Sequence, residues 1–141
     1  MLPEKINCFV DSNIWLYAFL QQQDAEKSDK AKDLLHNPQL NISISTQVIN
    51  EVCVNLRKKT HFSESDLQAL IERFYFRYNV TNLEKDTLLD ASELRQNYKL
   101  SFWDSLVIAS ALQADAAVIY SEDMQHGLVI NKTLKIVNPL L

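Results

Sequence analysis

The chain has 141 residues, of which 47% are hydrophobic and 23% charged, and this composition excludes a disordered or low-complexity protein. A net charge of −4 excludes nucleic-acid binding through overall charge alone, so any polyanion needs a local basic patch or a bound cation. The single glycine, Gly127, excludes the glycine-rich phosphate loops of dinucleotide-binding and Walker A sites. We expect one domain spanning residues 1–141.

Short apolar runs alternate with amphipathic stretches along the first half of the chain. The turn Asp11-Ser-Asn13 and Thr46 are predicted to cap helices, and Asn37-Pro38 to end one. The predicted elements are a strand over 7–10, helices over 14–20 and 25–36, a strand over 41–45 and a helix over 46–59.

The second half continues the same alternation. Ser63-Glu-Ser-Asp66 is predicted to open a helix through a capping box. The predicted elements are a helix to about 77, a strand over 79–82, helices over 83–98 and 102–115, and strands over 116–120 and 134–137. Short apolar strands separated by helices indicate βαβ units and therefore a parallel sheet with helices on both faces. Ligands of such folds bind beyond the carboxyl ends of the strands.

Acidic residues recur at positions that lead to that edge of the sheet. Asp11 directly follows the first strand, and Asp123 follows the strand over 116–120 by three residues. Asp104 shares a helix stripe with apolar residues and is predicted to face the core, where a carboxylate needs a partner. Glu51 borders the apolar arc of its helix. Each acid also has an ordinary structural interpretation, as a helix cap, a solvated turn or a border position.

The four acids together favour a metal site. Clustered carboxylates repel one another, and a hard divalent cation with oxygen ligands relieves that repulsion. We therefore expect Mg²⁺ or Mn²⁺, which suits phosphoryl chemistry because the cation activates water and neutralises the leaving oxygen.

Four segments in order resemble the PIN-domain nucleases, and among them the VapC-type toxins of bacterial toxin–antitoxin pairs. The segments are Phe9-Val-Asp11-Ser-Asn13, Glu51 on its helix, Ser101-Phe-Trp-Asp104-Ser-Leu-Val-Ile-Ala109, and Tyr120-Ser-Glu-Asp123. The resemblance implies a three-layer α/β/α sandwich with a short, mainly parallel central sheet. The activity that it implies is metal-dependent hydrolysis of RNA phosphodiester bonds.

The same resemblance assigns roles to single residues. Asp11, Glu51 and Asp104 are expected to be the main metal ligands and catalytic acids, with Ser12 orienting Asp11. Asp123 is expected to be the fourth acid, and its neighbour Glu122 is the alternative. Two basic residues that end the Glu51 helix, Arg57 and Lys58, are candidates for binding RNA phosphates, although cations there also suit the helix dipole.

The expected partners are an RNA substrate, a cognate antitoxin and a second copy of the chain in a homodimer. We expect a cytoplasmic protein without membrane contact. The amino terminus lacks a secretory pattern, no apolar run reaches the length of a membrane helix, and the isolated Cys8 and Cys53 suit a reducing compartment. The alternative function is a catalytically inactive PIN-like module that binds other proteins. The presence of all four acids counts against that alternative.

Overall fold

The computed structural model describes residues 4–141, which form six helices and six strands. Residues 1–3, on which the expectation about a secretory pattern partly rests, lie outside the described residues. The strands are β1 (Ile6–Val10), β2 (Leu40–Ser45), β3 (Asn79–Thr81), β4 (Val118–Tyr120), β5 (Val129–Ile130) and β6 (Leu134–Val137). The helices are α1 (Ser12–Phe19), α2 (Ala25–Leu35), α3 (Thr46–Lys59), α4 (Glu64–Arg77), α5 (Lys85–Asn97) and α6 (Phe102–Gln113).

The strands form one sheet in the order β3-β2-β1-β4-β6-β5. All neighbours are parallel except β5, which runs antiparallel to β6, so the predicted mainly parallel α/β fold is confirmed. The chain builds outward from β1 to β2 and β3, and then returns to add β4 on the other side of β1. This reversal opens a crevice between the carboxyl ends of β1 and β4.

The central strand β1 is apolar on both faces because helices cover both faces of the sheet. Cys8, Phe9 and Val10 are fully buried. Helix α1 packs on α2 and α3, whereas α5 packs on α6. In α6 the run from Ser105 to Ala111 is buried throughout, as the apolar sequence of this helix predicts. The sheet therefore lies between two helical layers.

Helix starts agree with the predicted caps, with one correction. Ser63 and Asp66 form the predicted reciprocal capping box at the start of α4. The prediction that Thr46 caps α3 is wrong by one residue: Ser45 is the cap, and its Oγ accepts a hydrogen bond of 3.2 Å from the Val48 N–H. The two hydroxyl residues are adjacent, and only the extended backbone of Ser45 at the end of β2 leaves its side chain free to cap.

Strand β5 has no counterpart among the predicted elements, because two residues carry no periodic signal. It exists through pairing with β6 across a tight turn in which Asn131 and Lys132 have positive φ. Among residues 4–141, no helix is long and apolar enough to cross a membrane.

Candidate metal centre

Four carboxylates lie at the crevice where the order of the strands reverses. Asp11 follows β1, Glu51 lies in α3, Asp104 lies in the first turn of α6, and Asp123 lies in the loop after β4. Asp11 is buried, Glu51 and Asp104 are half-buried, and Asp123 is exposed. Their charges act on one another, because Glu51 raises the pKa of both Asp11 and Asp104. The fold thus brings the four predicted acids into one electrostatic cluster, which we call the carboxylate cluster.

Asp11 is the most buried member, with 6% of its surface exposed. One carboxylate oxygen accepts a hydrogen bond from the Ser12 N–H at 2.8 Å, and the other accepts one from Ser121 Oγ at 2.9 Å. Both bonds favour the ionised form, yet burial outweighs them and, with the charges of Glu51 and Asp104, raises the pKa of Asp11 to about 6. Asp11 is also the N-cap of α1, so the capping interpretation and the site interpretation describe the same residue.

Ser12 connects two members of the carboxylate cluster. Its backbone N–H binds Asp11, while its Oγ donates to Glu51 Oε2 at 2.8 Å. Gln47, one turn earlier in α3, donates to the other Glu51 oxygen at 3.2 Å. The hydroxyl of Ser12 therefore positions Glu51, and only the backbone of Ser12 acts on Asp11.

Asp104 starts α6 but does not complete a capping box. Its backbone N–H donates to Ser101 Oγ at 3.0 Å, whereas no reciprocal bond from its carboxylate to the Ser101 backbone is present in the described structure. Burial raises the pKa of Asp104, a Ser101 hydrogen bond lowers it, and the charges of Asp123 and Glu51 raise it further. The negative charges of the other acids therefore disfavour the ionised form of Asp104.

The two adjacent acids after β4 have different partners. Asp123 Oδ2 accepts a hydrogen bond of 3.0 Å from Asn13 Nδ2. Glu122 instead accepts from Lys27 Nζ at 2.6 Å and from the Tyr17 hydroxyl at 2.7 Å. Burial acts to raise the pKa of Glu122, but these two donors hold it below its usual value. Glu122 is thus compensated by a cation, while Asp123 adds to the charge that Asp104 experiences.

Asn13 and Ser121 belong to this site and were not among the predicted site residues. Ser121 Oγ binds the buried Asp11 carboxylate, and Asn13 binds the loop after β4 at three points. Asn13 stands in the quoted segment Asp11-Ser-Asn13, where its residue type indicates only a turn or cap. Ser121 directly follows β4 at the carboxyl edge of the sheet, and that position is the one sequence signal that points to Ser121 as a site residue.

We expect Asn13→Ala to lower the free energy of unfolding by about 1–2 kcal/mol, because α1 loses side-chain hydrogen bonds to the loop. Urea unfolding followed by circular dichroism measures this change. Asn97→Ala at the exposed carboxyl end of α5 is the matched control and is expected to have little effect. Equal stability of the two variants would show that the Asn13 contacts do not hold the loop.

The two basic candidates lie at the far end of α3. Arg57 follows Glu51 by six residues, a rise of about 9 Å along the helix. The Arg57 guanidinium donates to the Phe62 carbonyl at 2.8 Å and pairs with Glu64 at 3.2 Å, so it holds the turn into α4. Lys58 lines a cleft that this helix end forms with residues 19–23.

The donor chemistry of the carboxylate cluster fits a hard divalent cation. Its members offer only carboxylate oxygens, and the ion pairs formed within residues 4–141 involve Glu122, Glu26 and Glu64 but none of the four acids. In the arrangement seen, no three His, Cys, Asp or Glu side chains of residues 4–141 are grouped closely enough to hold a metal ion. Cation binding therefore requires side-chain movement, and the half-buried Asp104 and the exposed Asp123 are the acids least enclosed by the fold.

Comparison with known proteins identifies a family over most of the chain. The model of the family described as "PIN domain" matches residues 8–128, a range that includes all four acids. No curated protein matches the sequence significantly.

Three solved structures share the fold at low sequence identity. A toxin–antitoxin complex from Klebsiella pneumoniae has 22% identity and a TM-score of 0.69, with 94% of this chain and 97% of that chain covered. VapC20 from Mycobacterium tuberculosis, described as a toxin that cleaves the sarcin-ricin loop, has 20% identity and a TM-score of 0.61 over 82% of this chain and 91% of that one. VapBC2 from Rickettsia felis, bound to a promoter DNA fragment, has 18% identity and a TM-score of 0.63 over 94% and 100%.

Proposed function

The chain belongs to the PIN domain family, and from this premise we propose that it is a metal-dependent endoribonuclease and the toxin of a toxin–antitoxin pair. One observation carries the proposal: four carboxylates without cationic partners gather at the crevice between β1 and β4, around a buried aspartate whose pKa is raised to about 6. Burying a carboxylate among other negative charges costs folding free energy, so a fold that retains this arrangement is expected to use it.

Each residue has a task in this proposal. Asp11, Glu51 and Asp104 hold Mg²⁺ or Mn²⁺, and Asp123 completes the set of acids. The cation, when bound, supplies activation of water and neutralisation of charge on the leaving oxygen. Ser121 holds the Asp11 carboxylate and Ser12 holds Glu51, so these two carboxylates are positioned before the cation binds.

Asp104 is the residue that we assign to proton transfer. Its carboxylate is half-buried at the crevice, so water reaches it. A carboxylate within reach of a water can accept the proton of that water. On this proposal an Asp104 carboxylate oxygen accepts the proton of the attacking water.

The solved structures that share the fold support one of the expected partners, the antitoxin. Those proteins are toxins and toxin–antitoxin complexes, which supports an antitoxin as the regulator of this chain. An RNA substrate, a homodimer and a cytoplasmic location are parts of the same proposal. Gel filtration with light scattering measures the oligomeric state.

The test is cleavage of purified total RNA by the full chain in Mg²⁺ or Mn²⁺, with EDTA and Asp11→Ala as controls. Cleavage that needs both the metal and Asp11 supports the proposal. A folded protein that binds Mn²⁺ and leaves total RNA intact indicates a narrow substrate, and the sarcin-ricin loop is then the next RNA to test. A folded protein that neither cuts RNA nor binds Mn²⁺ contradicts the proposal and favours the inactive interaction module.

Divalent cations are also expected to raise the melting temperature of the wild-type protein. A ligand that binds only the folded state stabilises it by about 2.7 kcal/mol at 100 times its Kd, and here it also relieves repulsion among the acids. Differential scanning fluorimetry against MnCl₂ concentration measures the shift. KCl at matched ionic strength controls for screening. The same shift in KCl, or in the Asp11→Asn variant, would contradict a specific site.

A further inference from the structure

Two large aromatic side chains are exposed in the first turn of α6, immediately before Asp104. Phe102 is 58% exposed and Trp103 is 65% exposed, although side chains of this size are normally largely buried. Their ring centroids lie 5.8 Å apart in an edge-on arrangement. We call Phe102 and Trp103 the aromatic pair. Its exposure has a cost in water, so a binding role is the natural explanation.

Phe102, one ring of the aromatic pair, is held in place by α5, and Trp103 contacts the Phe102 ring. The Arg95 guanidinium lies over the Phe102 ring, 4.1 Å from its centroid, and its Nη1 donates to the buried Ser105 Oγ at 2.7 Å. A ring that is already fixed loses little conformational entropy when a ligand stacks on it. Arg95 also places a positive charge beside the aromatic pair.

The position of the aromatic pair selects the kind of ligand. Trp103 and Asp104 are consecutive residues in the first turn of α6, so Trp103 lies at the same end of the helix as the carboxylate cluster. That cluster repels phosphates in the absence of a cation, but it does not repel the neutral bases of a nucleic acid. Aromatic rings bind the faces of unpaired bases, and each stacked base contributes substantially to affinity.

Resting on the proposed function, we propose that the aromatic pair is a stacking platform that binds an unpaired RNA base beside the bond to be cut. Trp103, the more exposed ring, provides most of the contact with the base. Phe102, which packs against the Arg95 guanidinium, supports Trp103. Bases in a duplex have their faces covered by neighbouring bases, so the platform favours single-stranded RNA.

The test is binding of a fluorescent single-stranded oligoadenylate, measured by anisotropy in the Asp11→Asn background so that the RNA stays intact. Trp103→Ala and Trp103→Leu are each expected to weaken binding about tenfold, whereas Trp103→Phe keeps an aromatic face and most of the affinity. Phe76→Ala is the matched control. Phe76 is 91% exposed at the end of α4 that leads to the start of β3, away from the carboxyl edge.

Several results would overturn the platform. One is equal affinity of Trp103→Leu and its parent, and another is an equal loss in the Trp103 and Phe76 variants. A change of oligomeric state in Trp103→Ala would instead assign the aromatic pair to self-association. Binding of inorganic polyphosphate is expected to be unaffected by Trp103→Ala, because stacking requires bases. A Trp103 effect as large on polyphosphate as on RNA would also overturn it.

The outcomes for the platform and for the nuclease are separable. If RNA binding depends on Trp103 but the wild-type chain never cuts RNA, the platform proposal stands and the nuclease proposal is wrong. If cleavage depends on metal and Trp103→Ala leaves the KM unchanged, the nuclease proposal stands and the platform proposal is wrong. Circular dichroism of each variant verifies that it is folded.

Discussion

Asp11→Asn is expected to lower RNA cleavage by about a thousandfold or more and, without divalent metal, to make the protein more resistant to unfolding. The loss of activity follows because Asp11 is the most buried acid of the carboxylate cluster and, on the proposed function, a main ligand of the cation. The gain in stability follows because an amide has no charge to bury, while it still accepts the Ser12 N–H and contacts Ser121.

The sign of the pH dependence follows from the raised pKa. The folded-state pKa of Asp11 is about 6, whereas an exposed aspartate in the unfolded chain has its ordinary pKa of 3.8. Between these values Asp11 binds more protons in the folded state, so its contribution to the free energy of unfolding falls as pH rises and then levels off above about 6. The fall amounts to at most about 3 kcal/mol. Asp11→Asn lacks this contribution.

Urea unfolding in EDTA across this pH range, for wild type and Asp11→Asn, measures the difference. Asp24→Asn is the control, since Asp24 caps α2 and asparagine caps equally well. Parallel stability curves for wild type and Asp11→Asn would contradict a strained buried carboxylate. Full cleavage by Asp11→Asn would contradict the site.

Asp104→Asn is expected to lower cleavage by about a hundredfold to a thousandfold without loss of stability. The substitution keeps the hydrogen bond from the backbone N–H of residue 104 to Ser101, which starts α6. It also removes a negative charge that is repelled by the charges of Glu51 and Asp123. We assign Asp104 both cation binding and proton acceptance, and an amide supplies neither a strong cation ligand nor a base. Single-turnover cleavage of RNA at saturating Mn²⁺ measures the loss.

Asp115→Asn is the matched control for this variant. Asp115 follows the other end of α6, is exposed and has a φ of +56°, a conformation that asparagine adopts readily. We expect this control to cleave RNA at the wild-type rate. Cleavage by Asp104→Asn at that same rate would refute the assignment of Asp104.

The order and type of most elements follow from the sequence alone, because the signals are local. The apolar run before Asp11 forms β1, Ser63 and Asp66 form their capping box, and the apolar α6 is buried as its composition predicts. The parallel sheet follows from the alternation of strands and helices, and with it the placement of Asp11 at the carboxyl edge. The two-residue β5 could not be predicted, since it exists only through its pairing with β6.

The partners of each acid could not be read from the sequence. Glu122 and Asp123 are neighbours of similar chemistry, and they are distinguished by Lys27 on α2 and Asn13 on α1. The Arg57 guanidinium, predicted as a phosphate ligand, is occupied by Phe62 and Glu64 of the following turn and helix. These contacts depend on how the helices pack, which no local pattern specifies.

The sequence by itself determined the fold class, the edge of the sheet where chemistry belongs and the four acids that lead to it, since periodicity, caps and strand ends act over a few residues. The tertiary structure alone decided the burial and raised pKa of Asp11, the bond of Ser12 to Glu51, and the pairing of Asn13 with Asp123. The two bonds join residues 39 and 110 positions apart, and burial is a property of the assembled layers. The arrangement of charges, the hydrogen bonds and the exclusion of water at the site therefore arise only when the helices pack on the sheet.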